Sequence, residues 1–100
     1  MKNESLQKTC VDIIKHVDKK YKIKRDIDLS YFQLLEEIGE LARELNSPRL
    51  RNKKIDQKNL RGELADVAIQ LFGLAQLLKI DISRAVQEKI KIINQRHNNK

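Results

Sequence analysis

Apolar residues recur along the chain at three- and four-residue steps, the spacing that places side chains on one face of an α-helix. This pattern predicts four helices: from Glu4 to Tyr21, from just after Asp28 to Leu45, from Lys58 to Leu78, and from Ile82 to Arg96. Asn46-Ser47-Pro48 should end the second helix, because proline lacks the amide donor that a continuing helix requires. A polar joint then runs to Lys58. We therefore predict one all-α domain, residues 1–100, built as a four-helix bundle.

The apolar positions also predict which helix faces are buried. The third helix is apolar over more than one face and should be central, whereas the first and fourth should each bury a single stripe. The first stripe comprises Leu6, Cys10, Ile13, Ile14 and Val17, and the fourth comprises Ala85, Val86, Ile90 and Ile93. Phe32 and Phe72 should fill the core. Asp28 or Ser30 should cap the second helix, and Asp81 the fourth.

These apolar surfaces are broad for a chain of 100 residues. A domain of this size has too little surface of its own to cover four such helices. We therefore expect a homodimer or a dimer of dimers.

The formal net charge is +7, from 21 Lys and Arg against 14 Asp and Glu. The basic residues are scattered, with concentrations only at 19–25 and 49–54, so we read them as a solvated surface that could supply a few phosphate contacts and expect no nucleic-acid partner. A single cysteine permits no intrachain disulfide, and no apolar run approaches the roughly 20 residues of a membrane span. The polar start MKNESLQK does not suit a signal peptide. These features favour a cytoplasmic protein without a membrane partner.

Two acidic clusters interrupt this basic chain, Glu36-Glu37-Ile38-Gly39-Glu40 and Glu63-Leu64-Ala65-Asp66. Three- and four-residue steps place the carboxylates of each cluster on one helix face. If the two helices pack antiparallel, the carboxylates converge, and each like-charged pair at about 4 Å costs roughly 1 kcal/mol in water or about 4 kcal/mol at a dielectric near 20. A hard divalent cation such as Mg²⁺ would offset this repulsion.

The clusters could instead be the solvated faces of two amphipathic helices. Both adjoin strong apolar runs, however, which favours close packing at these positions. Gly39 supports the same interpretation, because glycine inside a helix costs about 1 kcal/mol relative to alanine and often marks a close approach.

The segments LEEIGEL at 35–41, GELADV at 62–67, LLKIDI at 77–82 and EKI at 88–90 resemble the MazG-like nucleotide pyrophosphohydrolases. The resemblance spans about residues 31–96 and includes the complete EExxE and ExxD signature. It implies an all-α enzyme that uses Mg²⁺, with Mn²⁺ as the alternative, to cleave nucleoside triphosphates to monophosphates and pyrophosphate in nucleotide-pool house-cleaning.

The resemblance also implies roles for individual residues. Glu37, Glu40, Glu63 and Asp66 match the metal ligands, and Glu36 matches a glutamate that binds a second ion or deprotonates the attacking water. Lys89 and Arg96 match residues near the substrate phosphates, but Ile93 replaces the family's asparagine between them. Lys53, Lys54 and Arg61 are further phosphate candidates from their place before and at the start of the third helix.

Two alternatives stay open. Phosphoribosyl-ATP pyrophosphohydrolases share the acidic signature, but they usually carry a Tyr-His pair where this chain has Gln70-Leu71. A basic helical module that binds nucleic acid or another protein would need no catalytic residues at all.

Overall fold

A computed structural model of the chain describes residues 5–98 and shows helices α1 (Leu6–Tyr21), α2 (Ile27–Leu45), α3 (Ser47–Leu50), α4 (Gln57–Leu77) and α5 (Ile82–Asn98). No strand occurs in this part of the chain, so the predicted all-α fold is confirmed. The start of the first predicted helix, Glu4, lies outside the described residues. The short α3 was not predicted, since its four residues are too few to show a period.

The second helix begins earlier than the sequence analysis expected. Asp26 is its N-cap, and the Asp26 carboxylate accepts a hydrogen bond from the Leu29 amide at 2.8 Å. The prediction of Asp28 or Ser30 as the cap was therefore wrong. Ser30 is instead completely buried and accepts a hydrogen bond from Arg25.

Between α2 and α4 the chain makes a short folded loop. α2 ends at Leu45, and Pro48 lies in the first turn of α3, where its missing amide donor costs nothing. Asn52 adopts a left-handed backbone conformation with φ 56°, and the Lys53 amide donates to the Ser47 carbonyl at 3.2 Å. Asp56 then caps α4 by accepting hydrogen bonds from the amides of Lys58 and Asn59. The loop is thus ordered by its own backbone contacts.

Helix α4 packs against both α1 and α2, which confirms the prediction that it is central. The face of α1 that meets it differs from the predicted stripe. Cys10, Val11 and Ile14 are buried, whereas Ile13 is 54% and Val17 41% exposed. Leu6 is exposed as well. The buried face is rotated because two polar side chains of α1, Gln7 and Asp18, belong to it.

Gln7 attaches the start of α1 to the joint between α4 and α5. Its amide donates to the Ile80 carbonyl at 2.8 Å and to Gln76 at 3.3 Å, and its Oε1 accepts from the Ile82 amide at 2.9 Å. A buried glutamine with these partners leaves no unsatisfied amide hydrogen-bonding atom. The predicted capping role of Asp81 is confirmed by its hydrogen bond from the Arg84 amide at 3.2 Å.

Helix α5 has no buried residue in the part that the structure describes. Val86, Ile90 and Ile93 were expected to point inward, yet they are 49%, 49% and 43% exposed. Phe32, expected in the core, is 59% exposed, while Phe72 is half-buried. The inward positions expected on α5 were wrong for the single chain, because α5 makes no extensive contact with the other described helices, and the core position expected for Phe32 was wrong as well. None of the described helices is long and apolar enough to cross a membrane.

Candidate metal and nucleotide site

The two acidic clusters lie on facing parts of α2 and α4. Burial raises the pKa of both Glu37 and Glu63; the charges of Glu40 and Asp66 raise that of Glu37 further, and the charges of Glu44 and Glu40 raise that of Glu63 further. Carboxylates of one helix therefore act on those of the other across the contact between α2 and α4. Residues early in one cluster face residues late in the other, as expected if the two helices run antiparallel.

Glu37 and Glu63 are the most enclosed members of this group. Each side chain is half-buried, and the Oε2 atom of each is buried without a hydrogen-bond partner among the described residues. Burial is the largest cause of the raised pKa of both carboxyl groups, and the neighbouring negative charges add to it. A buried carboxylate oxygen without a donor is costly, and a hard cation is the kind of ligand that would satisfy it.

The other predicted acidic residues, Glu36, Glu40 and Asp66, are exposed. Within residues 5–98, no three His, Cys, Asp or Glu side chains are already arranged around a common point as a metal ion requires. Coordination would therefore require side-chain rotations. Such rotations are available to exposed Asp and Glu on a helix surface, since only the side-chain torsions change.

Gly39, between Ile38 and Glu40, does not mark a close helix contact within the described chain. A Cβ built at this position would have nothing within 4 Å. The prediction of a close approach at Gly39 was therefore wrong for these residues. The tight approach occurs at Gly73, where an added Cβ would lie 2.6 Å from Cδ1 of Ile14.

A cavity of about 380 Å³ joins the acidic clusters to the loop between α2 and α4. Glu40 and Glu63 line it, and so do two of the predicted phosphate-binding residues, Lys53 and Lys54. Arg61, Lys89 and Arg96 do not line it, and the last two lie on α5. The structure therefore brings Lys53 and Lys54, but not the other three predicted cations, to the same space as the acidic residues.

Three residues that the sequence did not single out also line this cavity: Glu44, Arg43, and Arg51, which was noted only as part of the basic concentration at 49–54. Glu44 accepts a hydrogen bond from the Asp56 amide at 3.0 Å, so it attaches the start of α4 to the end of α2. Its position four residues after Glu40 was a usable signal, because that step keeps it on the same helix face. Arg43 carried no comparable signal, and Arg51 carried only that of the basic concentration at 49–54.

A larger cavity of about 600 Å³ lies at the start of α1, next to the joint between α4 and α5. None of the acidic residues of the two clusters lines it. Size alone would favour this cavity, but the unpartnered carboxylate oxygens favour the smaller one as the place of chemistry.

Comparison with known proteins agrees with this choice. A family model described as the MazG nucleotide pyrophosphohydrolase domain matches residues 29–100, which include both acidic clusters and exclude α1. Searches among curated proteins and among solved structures find no significant match.

Proposed function

Because the chain belongs to the MazG nucleotide pyrophosphohydrolase family, we propose that it is a Mg²⁺-dependent hydrolase that converts nucleoside triphosphates, ribo- or deoxyribo-, to monophosphates and pyrophosphate. Proteins of this family generally depend on a divalent metal ion. The observation that carries the proposal is the pair of buried, unpartnered carboxylate oxygens on Glu37 and Glu63, within the matched segment. A cytoplasmic role in removing unwanted nucleotides fits such an activity.

Glu37, Glu40, Glu63 and Asp66 would hold the metal, since their all-oxygen donor set suits Mg²⁺, with Mn²⁺ as the alternative. The bound ion would polarise the α-phosphate and neutralise charge on the leaving group. Glu36 is exposed beside this group and is free to take a proton from the attacking water, unless it serves a second ion. Water oxygen would bond to the α-phosphorus as the bond to the α,β-bridging oxygen breaks and pyrophosphate leaves.

The substrate phosphates require positive charge. Lys53 and Lys54 line the cavity that also contains Glu40 and Glu63. Arg61, on α4, lies outside this cavity. Lys89 and Arg96 lie on α5 and outside this cavity of the single chain, so a contribution from them would require a second copy or a movement of α5. We include a homodimer, or a dimer of dimers, in the proposal for this reason and because α5 leaves its apolar side chains exposed.

The experiment is to incubate the protein with a panel of NTPs and dNTPs plus Mg²⁺ and to measure pyrophosphate. Glu40→Gln and Asp66→Asn should each lower kcat by about 100-fold, because each removes a charge that stabilises the transition state. Glu88→Gln is the matched control, since Glu88 lies on α5, is exposed, and pairs with Arg84. A chelator should abolish the reaction, and Mn²⁺ should restore it.

Absence of pyrophosphate release from every nucleotide, or full release by the Glu40→Gln and Asp66→Asn variants, would reject the proposal. Salt-sensitive binding of RNA or DNA that survives both substitutions would then favour a basic binding module. Preference for phosphoribosyl-ATP over all the NTPs would favour the other enzymatic alternative.

A further inference from the structure

Residues of both charges line the cavity between α2 and α4. Glu40, Glu44, Asp56 and Glu63 line it, together with four cations: Arg43, Arg51, Lys53 and Lys54. In the described part of the chain, no ion pair joins any of these cations to a carboxylate. Opposite charges that line one cavity without pairing are suited to a ligand that carries both signs, such as a metal ion bound to a phosphate chain.

Two of the four carboxylates already have structural roles. Glu44 accepts from the Asp56 amide, and the Asp56 carboxylate caps α4. Among the described residues, Glu40 and Glu63 neither cap a helix nor accept a hydrogen bond from a backbone amide, and Oε2 of Glu63 is buried without a partner there. Glu40 and Glu63 are therefore the two cavity carboxylates that are left to bind a cation.

Arg51, Lys53 and Lys54 lie in the folded loop between α2 and α4, and this loop is hydrogen-bonded to the backbone of Arg43. Arg51 donates from Nη1 to the Arg43 carbonyl at 3.3 Å, and the Ser47 hydroxyl donates to the same carbonyl at 3.0 Å. The left-handed residue Asn52 turns the chain, and the Lys53 amide closes the turn on Ser47. Because this loop is ordered by its own contacts, ligand binding would not have to pay the full entropy of ordering it.

From this arrangement we infer that Arg43 and Arg51, together with Lys53 and Lys54, bind the two outer phosphates of the substrate, which leave as pyrophosphate. The inference rests on the proposed function and adds two arginines to its site. Arginine suits this task because its planar guanidinium can donate two hydrogen bonds to one phosphate group. The loop would then select triphosphates, since a nucleoside diphosphate places only one phosphate beyond the bond that breaks.

The first test is calorimetric titration of the full chain with inorganic pyrophosphate in the presence of Mg²⁺. Arg43→Ala/Arg51→Ala should weaken binding by at least about tenfold, because hydrogen bonds to charged groups are lost. The pyrophosphate affinity of Arg51→Lys should lie between those of the wild type and Arg51→Ala, since lysine keeps the positive charge but loses the planar guanidinium that donates two hydrogen bonds. Arg49→Ala is the matched control, because Arg49 lies in α3, two residues before Arg51, is exposed, and does not line the cavity. Thermal unfolding confirms that each variant is folded.

The second test is kinetic. The Arg43→Ala/Arg51→Ala variant should raise KM for NTPs and reduce the preference for triphosphates over diphosphates, while Arg49→Ala should do neither. If the wild type hydrolyses NTPs and the double variant keeps its KM and its pyrophosphate affinity, the inference is overturned and the proposed function stands. If the wild type hydrolyses nothing, the titration decides alone: arginine-dependent pyrophosphate binding supports the subsite, and its absence overturns it.

Discussion

The carboxylate of Asp18 accepts two hydrogen bonds from the guanidinium of Arg25, from Nε at 2.6 Å and from Nη2 at 2.9 Å. Both side chains are only 12% exposed, and Nη1 of Arg25 also donates to the buried Ser30 hydroxyl at 3.1 Å. This network joins the end of α1 to the first turn of α2. The family match begins at residue 29, so this network attaches α1, which lies outside the match, to the matched domain.

Arg25→Ala should destabilise the fold strongly, because it leaves the Asp18 carboxylate buried without a partner. Removing one member of a buried ion pair costs roughly 3–5 kcal/mol. Denaturant unfolding measures the change. Arg84→Ala is the control, since the Arg84–Glu88 pair is 79% and 65% exposed and should contribute less than about 1 kcal/mol. Equal effects of the two substitutions would show that the Asp18–Arg25 pair does not hold α1 in place.

The sequence predicted the helices and the centrality of α4, because periodicity and a wide apolar surface are local properties. It did not predict that Gln7 and Asp18 are buried. Gln7 bonds to Gln76, Ile80 and Ile82, and Asp18 bonds to Arg25. The spacing of apolar residues along a helix does not predict such polar contacts. The buried face of α1 was therefore placed one residue away from its true position.

The candidate site, too, could be predicted from the sequence only in part. The facing of the two acidic clusters followed from three- and four-residue steps on two helices that were expected to pack. That Arg43 and Arg51 line one cavity could not be predicted, because it depends on the fold of α3 and the turn at Asn52. A one-turn helix in a polar joint leaves no hydrophobic pattern to recognise.

Gly73 and Ile14 should be energetically coupled. Gly73→Ala gains about 1 kcal/mol in helix propensity, but its Cβ would lie 2.6 Å from Cδ1 of Ile14, and overpacking costs about 1–3 kcal/mol. Ile14→Val removes that methyl group. We therefore expect Gly73→Ala to be more favourable by about 1 kcal/mol in the Ile14→Val background than in the wild type.

The measurement is a double-mutant cycle by denaturant unfolding. Gly39→Ala supplies the control, because nothing lies within 4 Å of its Cβ and its effect should be the same in both backgrounds. Additive effects of Gly73→Ala and Ile14→Val would mean that α1 and α4 do not approach each other at this point.

Stability without metal should depend on pH through Glu37. Burial, followed by the charges of Glu40 and Asp66, raises the pKa of the Glu37 carboxyl above its ordinary 4.5, so the folded state binds this proton more tightly than the unfolded state. The stability that Glu37 contributes is fully present below its ordinary pKa and is lost as the pH rises through its raised pKa in the folded state. In a chelator at neutral pH, Glu37→Gln should therefore be more stable than the wild type, and this advantage should disappear below about pH 4.5.

With Mg²⁺ the order should reverse, because a bound ion stabilises only the variant that keeps its ligand. The wild-type Tm should rise with Mg²⁺ at neutral pH, and this rise should shrink on acidification as protons compete for Glu37 and Glu63. Glu37→Gln should show little response, and Glu88→Gln should respond like the wild type. Parallel pH profiles of the wild type and Glu37→Gln, with and without Mg²⁺, would contradict the prediction.

The apolar stripe of α5 should be covered by a second copy of the chain. Val86, Ile90 and Ile93 follow four- and three-residue steps, and each is exposed by more than two fifths of its surface. Sedimentation equilibrium should detect a dimer or tetramer, and Tm should rise with protein concentration, since association stabilises the folded state by mass action. Ile90→Asp should produce a monomer with a lower, concentration-independent Tm, because a charge would be buried in an apolar contact. Glu88→Gln, on the opposite side of α5, should leave assembly unchanged. A wild-type chain that stays monomeric at all concentrations would exclude this interface, and with it any active site shared between two chains through α5.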